Sequence, residues 1–285
     1  MSIKIYKRNT AARRNMSIVK SKMVTDKRPE KFLLAKRVRL AGRSGGKISV
    51  RHQGGGNKQR YRIVDFQQDK FGIPGKVVAI ERDPVRTSFI ALINYVDGER
   101  RYILAPEGLK INESIVSKDD APIKIGNRAK IKNIPVGTFV YNIEIKPGSG
   151  SKLVRSAGSF AQVVANDASY THIKMPSSEI RKIHENAWAS IGAVSNEENR
   201  LVNIGKAGRS RWMGIRPTVR GTAQNPVDHP YGGGEQRQGR GLRRLKTRWG
   251  KPAGKGQKTR TPKKYSNVFI VSRRQVGKKK AAVQQ

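Results

Sequence analysis

Four histidines and no cysteine leave this 285-residue chain with few imidazole ligands and no thiol nucleophile. His52, His172, His184 and His229 are scattered without ligand spacing, and the lack of Cys removes thiolate metal sites and disulfides, which suits a reducing compartment. Asp228 beside His229 invites a general-base reading, because an imidazole near its pKa can move a proton at neutral pH. No nucleophile or ligand set accompanies that pair, and side chains adjacent in sequence seldom face each other. What recurs instead is arginine, glycine and an aromatic together, in Gly208-Arg209-Ser210-Arg211-Trp212-Met213-Gly214-Ile215-Arg216-Pro217, in 221–237 and in 239–264. Glycine lets backbone approach a phosphate closely, arginine offers a planar fork to its oxygens, and an aromatic gives an unpaired base a face to stack on.

Charge placement points the same way. The net charge is +40, yet residues 61–199 carry 19 Lys/Arg against 16 acids, while 1–60 carry 18 against two and 200–285 carry 23 against two. Self-repulsion of two such ends is relieved by a polyanion, so nucleic acid is the implied partner. The alternative is that the ends are merely solvated and disordered. Against it, Trp212 and Trp249 are costly to leave in water, and each is expected to pack on something. No apolar run approaches the roughly 18 residues a membrane helix needs. The acid-free, basic stretch 1–21 also raises an organelle transit peptide.

These residues need a body to position them, and the middle of the chain supplies it. Short β-type runs appear at 61–66, 76–81 and 88–96, the last followed by Asp97-Gly98 and a second run at 99–104. Asp-Gly between β-rich runs predicts a two-residue hairpin turn with positive φ at both centres. Further runs at 125–131, 138–145, 159–165, 170–175 and 188–194 give the spacing of small barrels or a sandwich. Ile180, Ile183, Ala187, Trp188 and Ile191 recur at helical spacing after Ser177-Ser178, so the pattern alone reads as a helix there. Residues 4–60 read as an arm with a few anchors at Phe32, Leu33 and Leu34, and beyond Arg200 strand signals vanish.

Four blocks in order carry a resemblance: Arg51-His52-Gln53-Gly54-Gly55-Gly56, Glu99-Arg100-Arg101-Tyr102-Ile103-Leu104-Ala105-Pro106, Arg216-Pro217-Thr218-Val219-Arg220-Gly221, and Asn225-Pro226-Val227-Asp228-His229-Pro230-Tyr231-Gly232-Gly233-Gly234-Glu235. With them the chain, from about Tyr6 to Arg274, closely resembles the universal large-subunit ribosomal protein two family in its bacterial form. The resemblance implies a mainly β fold of two small β-barrels, an OB-fold then an SH3-like one, with long irregular basic extensions. It implies the division 1–60, 61–128, 129–200 and 201–285, and makes residues 179–184 a strand against their helical period. It implies a structural constituent of the large subunit, a primary rRNA binder that supports subunit association and tRNA binding near the peptidyl-transferase region without being the catalyst. The implied partners are large-subunit rRNA, small-subunit rRNA at the interface, neighbouring ribosomal proteins and, indirectly, tRNA, in a cytoplasmic ribosome rather than an organelle one. No cofactor is implied beyond magnesium associated with rRNA. The chain departs from the family where Tyr231 stands for a second His, Gln224 for Met and Gln236 for Gly; Tyr stacks and donates but does not titrate near neutral pH.

The residues expected to meet RNA are therefore Arg51 and His52, then Lys70, Arg86 and Arg155 beside turns of the β body, where nucleic acid is commonly gripped. In the C-terminal blocks they are Arg209, Arg211, Trp212, Arg216, Arg220, His229, Tyr231, Arg237, Arg243, Arg244 and Trp249. None is expected to be catalytic or to bind metal. Arg100 and Arg101 should split between the two faces of their strand, and Asp119-Asp120 reads as a solvated loop. Two other classes share the charge: a duplex-DNA binder, which would usually bring a recognition helix or ribbon, and a nucleic-acid enzyme, which needs convergent carboxylates or metals.

Overall fold

A computed structural model describes residues 3–36, 42–234, 244–254 and 259–274. Among these residues, nineteen short strands follow in chain order: β1 Ile3–Ile5, β2 Ser17–Val19, β3 Leu34–Lys36, β4 Arg43–Ser44, β5 Lys47–Ile48, β6 Arg60–Arg62, β7 Gly75–Arg82, β8 Phe89–Tyr95, β9 Arg100–Leu104 and β10 Ser114–Ile115. Then come β11 Arg128–Lys130, β12 Phe139–Tyr141, β13 Ile143–Glu144, β14 Ser151–Leu153, β15 Ala161–Asn166, β16 Tyr170–Lys174, β17 Ile180–His184, β18 Trp188–Ile191 and, after the short helix α1 Ala207–Trp212, β19 Ile270–Ser272. The fold is mainly β, with one sheet curled into a half-barrel.

Contacts divide the chain into two units, and neither follows the changes of composition at 60 and 200. The first joins the described parts of 1–38, 58–206 and 268–285; the second joins those of 39–57 and 207–267. In the first unit β10-β7-β8-β9 form one antiparallel sheet, and β11-β18-β12-β15-β16-β17-β19 a longer one. Strand β8 is buried on both faces, which its unbroken apolar sequence allows. Its alternation sorts two cores: Ile90 and Leu92 share one with Tyr102 of β9, Ile131, and Val140 and Ile173 of the longer sheet, while Phe89, Ala91 and Ile93 share the other with Val77, Ile103 and Leu109. The first of these cores runs continuously through both sheets.

Several local expectations change. The hairpin at 97–98 forms, but Tyr95 exchanges backbone bonds with Gly98 and Glu99, and of the turn residues only Gly98 (φ +84°) is left-handed. That is a three-residue loop with a glycine bulge, in which Asp97 keeps an ordinary φ. The helical period at 180–191 is overridden: β17 and β18 are strands, because β16 and β11 offer ladders that bury Ile183, Ala189 and Ile191. The run 138–145 is cut at Asn142 (φ +50°), so Phe139 faces solvent while Tyr141 and Ile143 are both buried. Only 128–130 of the run 125–131 is strand. The N-terminal stretch is more than an arm, since β2 buries Val19 against the core and β3 pairs with β6. Nor do strands end at Arg200, because β19 covers the open edge of β17.

Candidate nucleic-acid interface

In the first unit, two arginines from different loops, Arg86 between β7 and β8 and Arg155 after β14, converge on one ring. Asp65 begins an Asx-type turn, its Oδ1 accepting from the backbone N–H of Gln67 (2.9 Å) and Gln68 (2.7 Å), and this presents Phe66. The Arg86 guanidinium lies 5.5 Å from the Phe66 ring centre and 4.9 Å from that of Tyr61. Arg155, from the loop after β14, lies 4.6 Å from the Phe66 centre. Val154 just before it has φ +53°, a conformation uncommon for a β-branched residue, and it turns the loop at this point.

The two arginines are held differently. Arg86 donates to Asp83 (2.5 Å), to Tyr61 Oη (2.8 Å) and to the carbonyl of Arg62 (3.3 Å), and the Asp83 side chain is fully buried. Arg155 donates one long bond, 3.4 Å, to the carbonyl of Ser151, and makes no ion pair among the described residues. Its charge is thus available to a ligand, with Arg86 fixing the ring beneath it. Arg155 also borders an open groove of about 520 Å³ with Lys152, Ser177, Met175 and Arg181 along it.

Lys70 is placed otherwise than its turn suggested. Its ammonium is bound between Asp97 and Glu99 and lies 5.3 Å from the Tyr95 ring centre. These bonds hold Lys70 above its usual pKa and Asp97 below its own; Glu99, bonded first to Arg101 and then to Lys70, is pushed down to about 2. Arg101 also binds Asp65 and Asp69, whereas Arg100 reaches Glu30, so the two adjacent arginines do serve different partners. Asp119 is paired with Lys130 at 2.6 Å rather than merely solvated.

In the second unit the glycine run 54–56 lies against the end of α1. Gly54 N–H donates to the Gly214 carbonyl (3.0 Å), Asn57 N–H to that of Trp212 (2.9 Å), and Arg216 N–H to that of His52 (3.0 Å). Gly56, at φ +94°, is so close that a Cβ would lie 2.9 Å from the Gly214 backbone. Arg209, Arg211 and Trp212 ride on α1, and Arg51, Arg211, Arg216, Arg220 and Arg244 are exposed. Trp249 is 69 % exposed, with Arg51 and Arg248 5.9 and 5.6 Å from its centre, and Trp212 is 51 % exposed. Neither tryptophan is buried in protein, and for Trp249 the expected packing is cationic flanking of an open ring.

His229 sits on Gly221, where a Cβ would lie 2.5 Å from the imidazole. Its Nδ1 accepts from the Tyr231 N–H at 3.1 Å, which puts the proton of the neutral ring on Nε2, and Nε2 too lies close over Gly221. Asp228 makes no ion pair with His229 among the described residues, so the general-base pairing is not assembled. The Tyr231 hydroxyl accepts from the Lys246 N–H, tying this loop to 245–253, a link a histidine ring at 231 would make differently. Arg237, Arg243 and Gln236 lie outside the described residues. No group of three or more His, Asp or Glu among the described residues could hold a metal, and no described helix is long and apolar enough to cross a membrane.

Tyr61, Phe66, Lys152 and Arg181 join the candidate surface although sequence reasoning passed over them. The spacing of Asp83 and Arg86 around Pro84-Val85 was the available signal, since an acid and a base three apart across a turn can pair.

Residues 30–117 match the model of the RNA binding N-terminal domain of Ribosomal Proteins L2, and 124–250 match that of their C-terminal domain. The chain belongs to the ribosomal protein L2 family. As an L2 family member it is a ribosomal structural protein with an RNA-binding N-terminal domain, and its place is the ribosome. The N-terminal match contains Tyr61, Phe66 and Arg86; the C-terminal match contains Arg155 and the described glycine-rich loops up to residue 250.

Proposed function

We propose that this L2 family member is a primary binder of large-subunit rRNA that grips the phosphate backbone at Arg155 over Phe66. The observation that carries the reading is the meeting of Arg86 and Arg155 on one aromatic ring, with no carboxylate partner for Arg155 among the described residues. A cation laid on an aromatic ring beside a groove favours a particular backbone path, whereas the basic segments of the second unit add charge and stacking surfaces, Trp212 and Trp249 among them. On this reading Arg51, His52, Arg209, Arg211, Arg216, Arg220 and Arg244, with Arg237 and Arg243, follow the RNA, and Lys70 serves chiefly to stiffen the hairpin that carries Glu99. His229, half-buried over Gly221, meets a nucleotide through its imidazole and performs no proton transfer. The protein supports subunit association and tRNA binding near the peptidyl-transferase region in a cytoplasmic ribosome, touching small-subunit rRNA and neighbouring proteins there, with no cofactor other than rRNA-associated magnesium.

The test is filter binding of Arg155→Ala and Arg155→Lys to a large-subunit rRNA fragment. A charge-assisted contact is worth about 1.5 to 3 kcal/mol, so affinity should fall about ten- to a hundredfold for Ala and partly return for Lys. Wild-type affinity for Arg155→Ala would overturn the reading, and so would a preference for duplex DNA over folded rRNA.

A further inference from the structure

Phe71 and Trp188 form a second aromatic site, on the first unit and distinct from the Phe66 ring. Their centroids are 4.6 Å apart and their planes 20° from parallel. Trp188, at the start of β18, is only 8 % exposed, and Lys130 lies 5.8 Å from its ring centre. Phe71 is 51 % exposed, as expected of a ring with one face covered and the other open. Its backbone is fixed: Phe71 bridges to Ser117, Gly72 N–H donates to the Ser117 carbonyl at 2.8 Å, and Gly72 takes φ +75°.

We propose that Phe71, braced by Trp188, is a stacking platform for one unpaired base of ribosomal RNA; the proposal rests on the RNA-binding reading above. A near-parallel ring pair with a free outer face is what a nucleobase extends, and its rotamer cost is already met by the stack beneath. The nearby carboxylates do not forbid a polyanion, because Asp69 is bonded to Arg101, Asp97 and Glu99 to Lys70, and Asp119 to Lys130. The surrounding unit carries 40 Lys/Arg against 18 acids. Phe71 lies within the matched RNA-binding domain and Trp188 within the C-terminal one, so the platform joins the two.

The experiment is ultraviolet crosslinking of the full chain to large-subunit rRNA and within intact large subunits, with mass spectrometry of the tryptic peptide 71–76. A nucleotide adduct on Phe71 is expected. Phe71→Leu should lose the adduct and weaken rRNA binding about tenfold, while Phe71→Trp keeps both. Because Phe71 is half exposed, leucine should leave the melting temperature near that of the parent; a large drop would move the decision to Phe71→Tyr, expected to bind and crosslink like the parent. Unchanged affinity for Phe71→Leu, while Arg155→Ala still loses binding, would overturn the platform and leave the RNA reading standing. A peptide of another ribosomal protein attached to Phe71 would overturn it in favour of a protein partner. Equal binding by the parent and Arg155→Ala would instead remove the reading on which the platform rests.

Discussion

At the scale of the residue, what decides a cation's role is its local partners. Lys70 and Arg155 both stand beside turns, yet Lys70 meets two carboxylates and Arg155 one distant carbonyl. Lys70→Met should therefore reduce rRNA affinity far less than Arg155→Ala, a comparison binding isotherms can make. It should also lower the melting temperature at neutral pH, with a definite pH dependence. Asp97 and Glu99 have folded pKa values below their unfolded ones, so the stability they contribute is present above about pH 4.5 and is lost as pH falls towards the Glu99 value of about 2. The gap in melting temperature between parent and Lys70→Met should be full at pH 7 and close as pH approaches 2. Arg86 is a less clean probe than Arg155, because Arg86→Ala would strand the buried Asp83 carboxylate at a cost of about 3 kcal/mol. Any binding loss there must be read beside a melting curve.

At the scale of the element, glycines govern how closely segments meet. Gly56→Ala combines a left-handed φ with a Cβ 2.9 Å from the Gly214 backbone, so neither conformation nor neighbour can yield cheaply. Amide exchange in 207–216 should rise in that variant, with that of β7 to β9 unchanged. The glycines of 54–56 stood out in the sequence only as part of a block that carries the family resemblance; that they meet Gly214 is a pairing 158 residues apart that no local pattern encodes. The same limit explains β17 and β18, where a 3.6-residue period at 180–191 was genuine and lost to the ladders of β16 and β11. The 97–98 hairpin was legible because a turn is local chemistry, and even there Val96 had to enter the loop before Gly98 could take the bulge. The cation site was half legible: Arg86 and Arg155 could be named from their turns, whereas their shared ring, Phe66, needed the fold.

At the scale of the whole molecule, the fixed cations on the β body and the dense charge of the second unit should leave separable signatures in salt. The second unit's segments 39–57 and 207–267 hold 20 Lys/Arg against two acids. Contacts made there resemble one another, so removing one, as in Arg211→Ala, should weaken binding slightly and shift the slope of log affinity against log salt by about 0.7 to 0.9. Arg155→Ala should shift the slope by the same single contact yet cost far more affinity, because its guanidinium is held against Phe66 before RNA arrives and loses less freedom on binding. Isotherms at four or five salt concentrations distinguish the two cases. Equal slope changes with a tenfold or greater difference in affinity would show that placement, rather than charge, makes the β body the specific element. If the two variants instead lost affinity equally, the body would be one more patch in a diffuse field, and the convergence of two arginines on Phe66 would have no part in recognition.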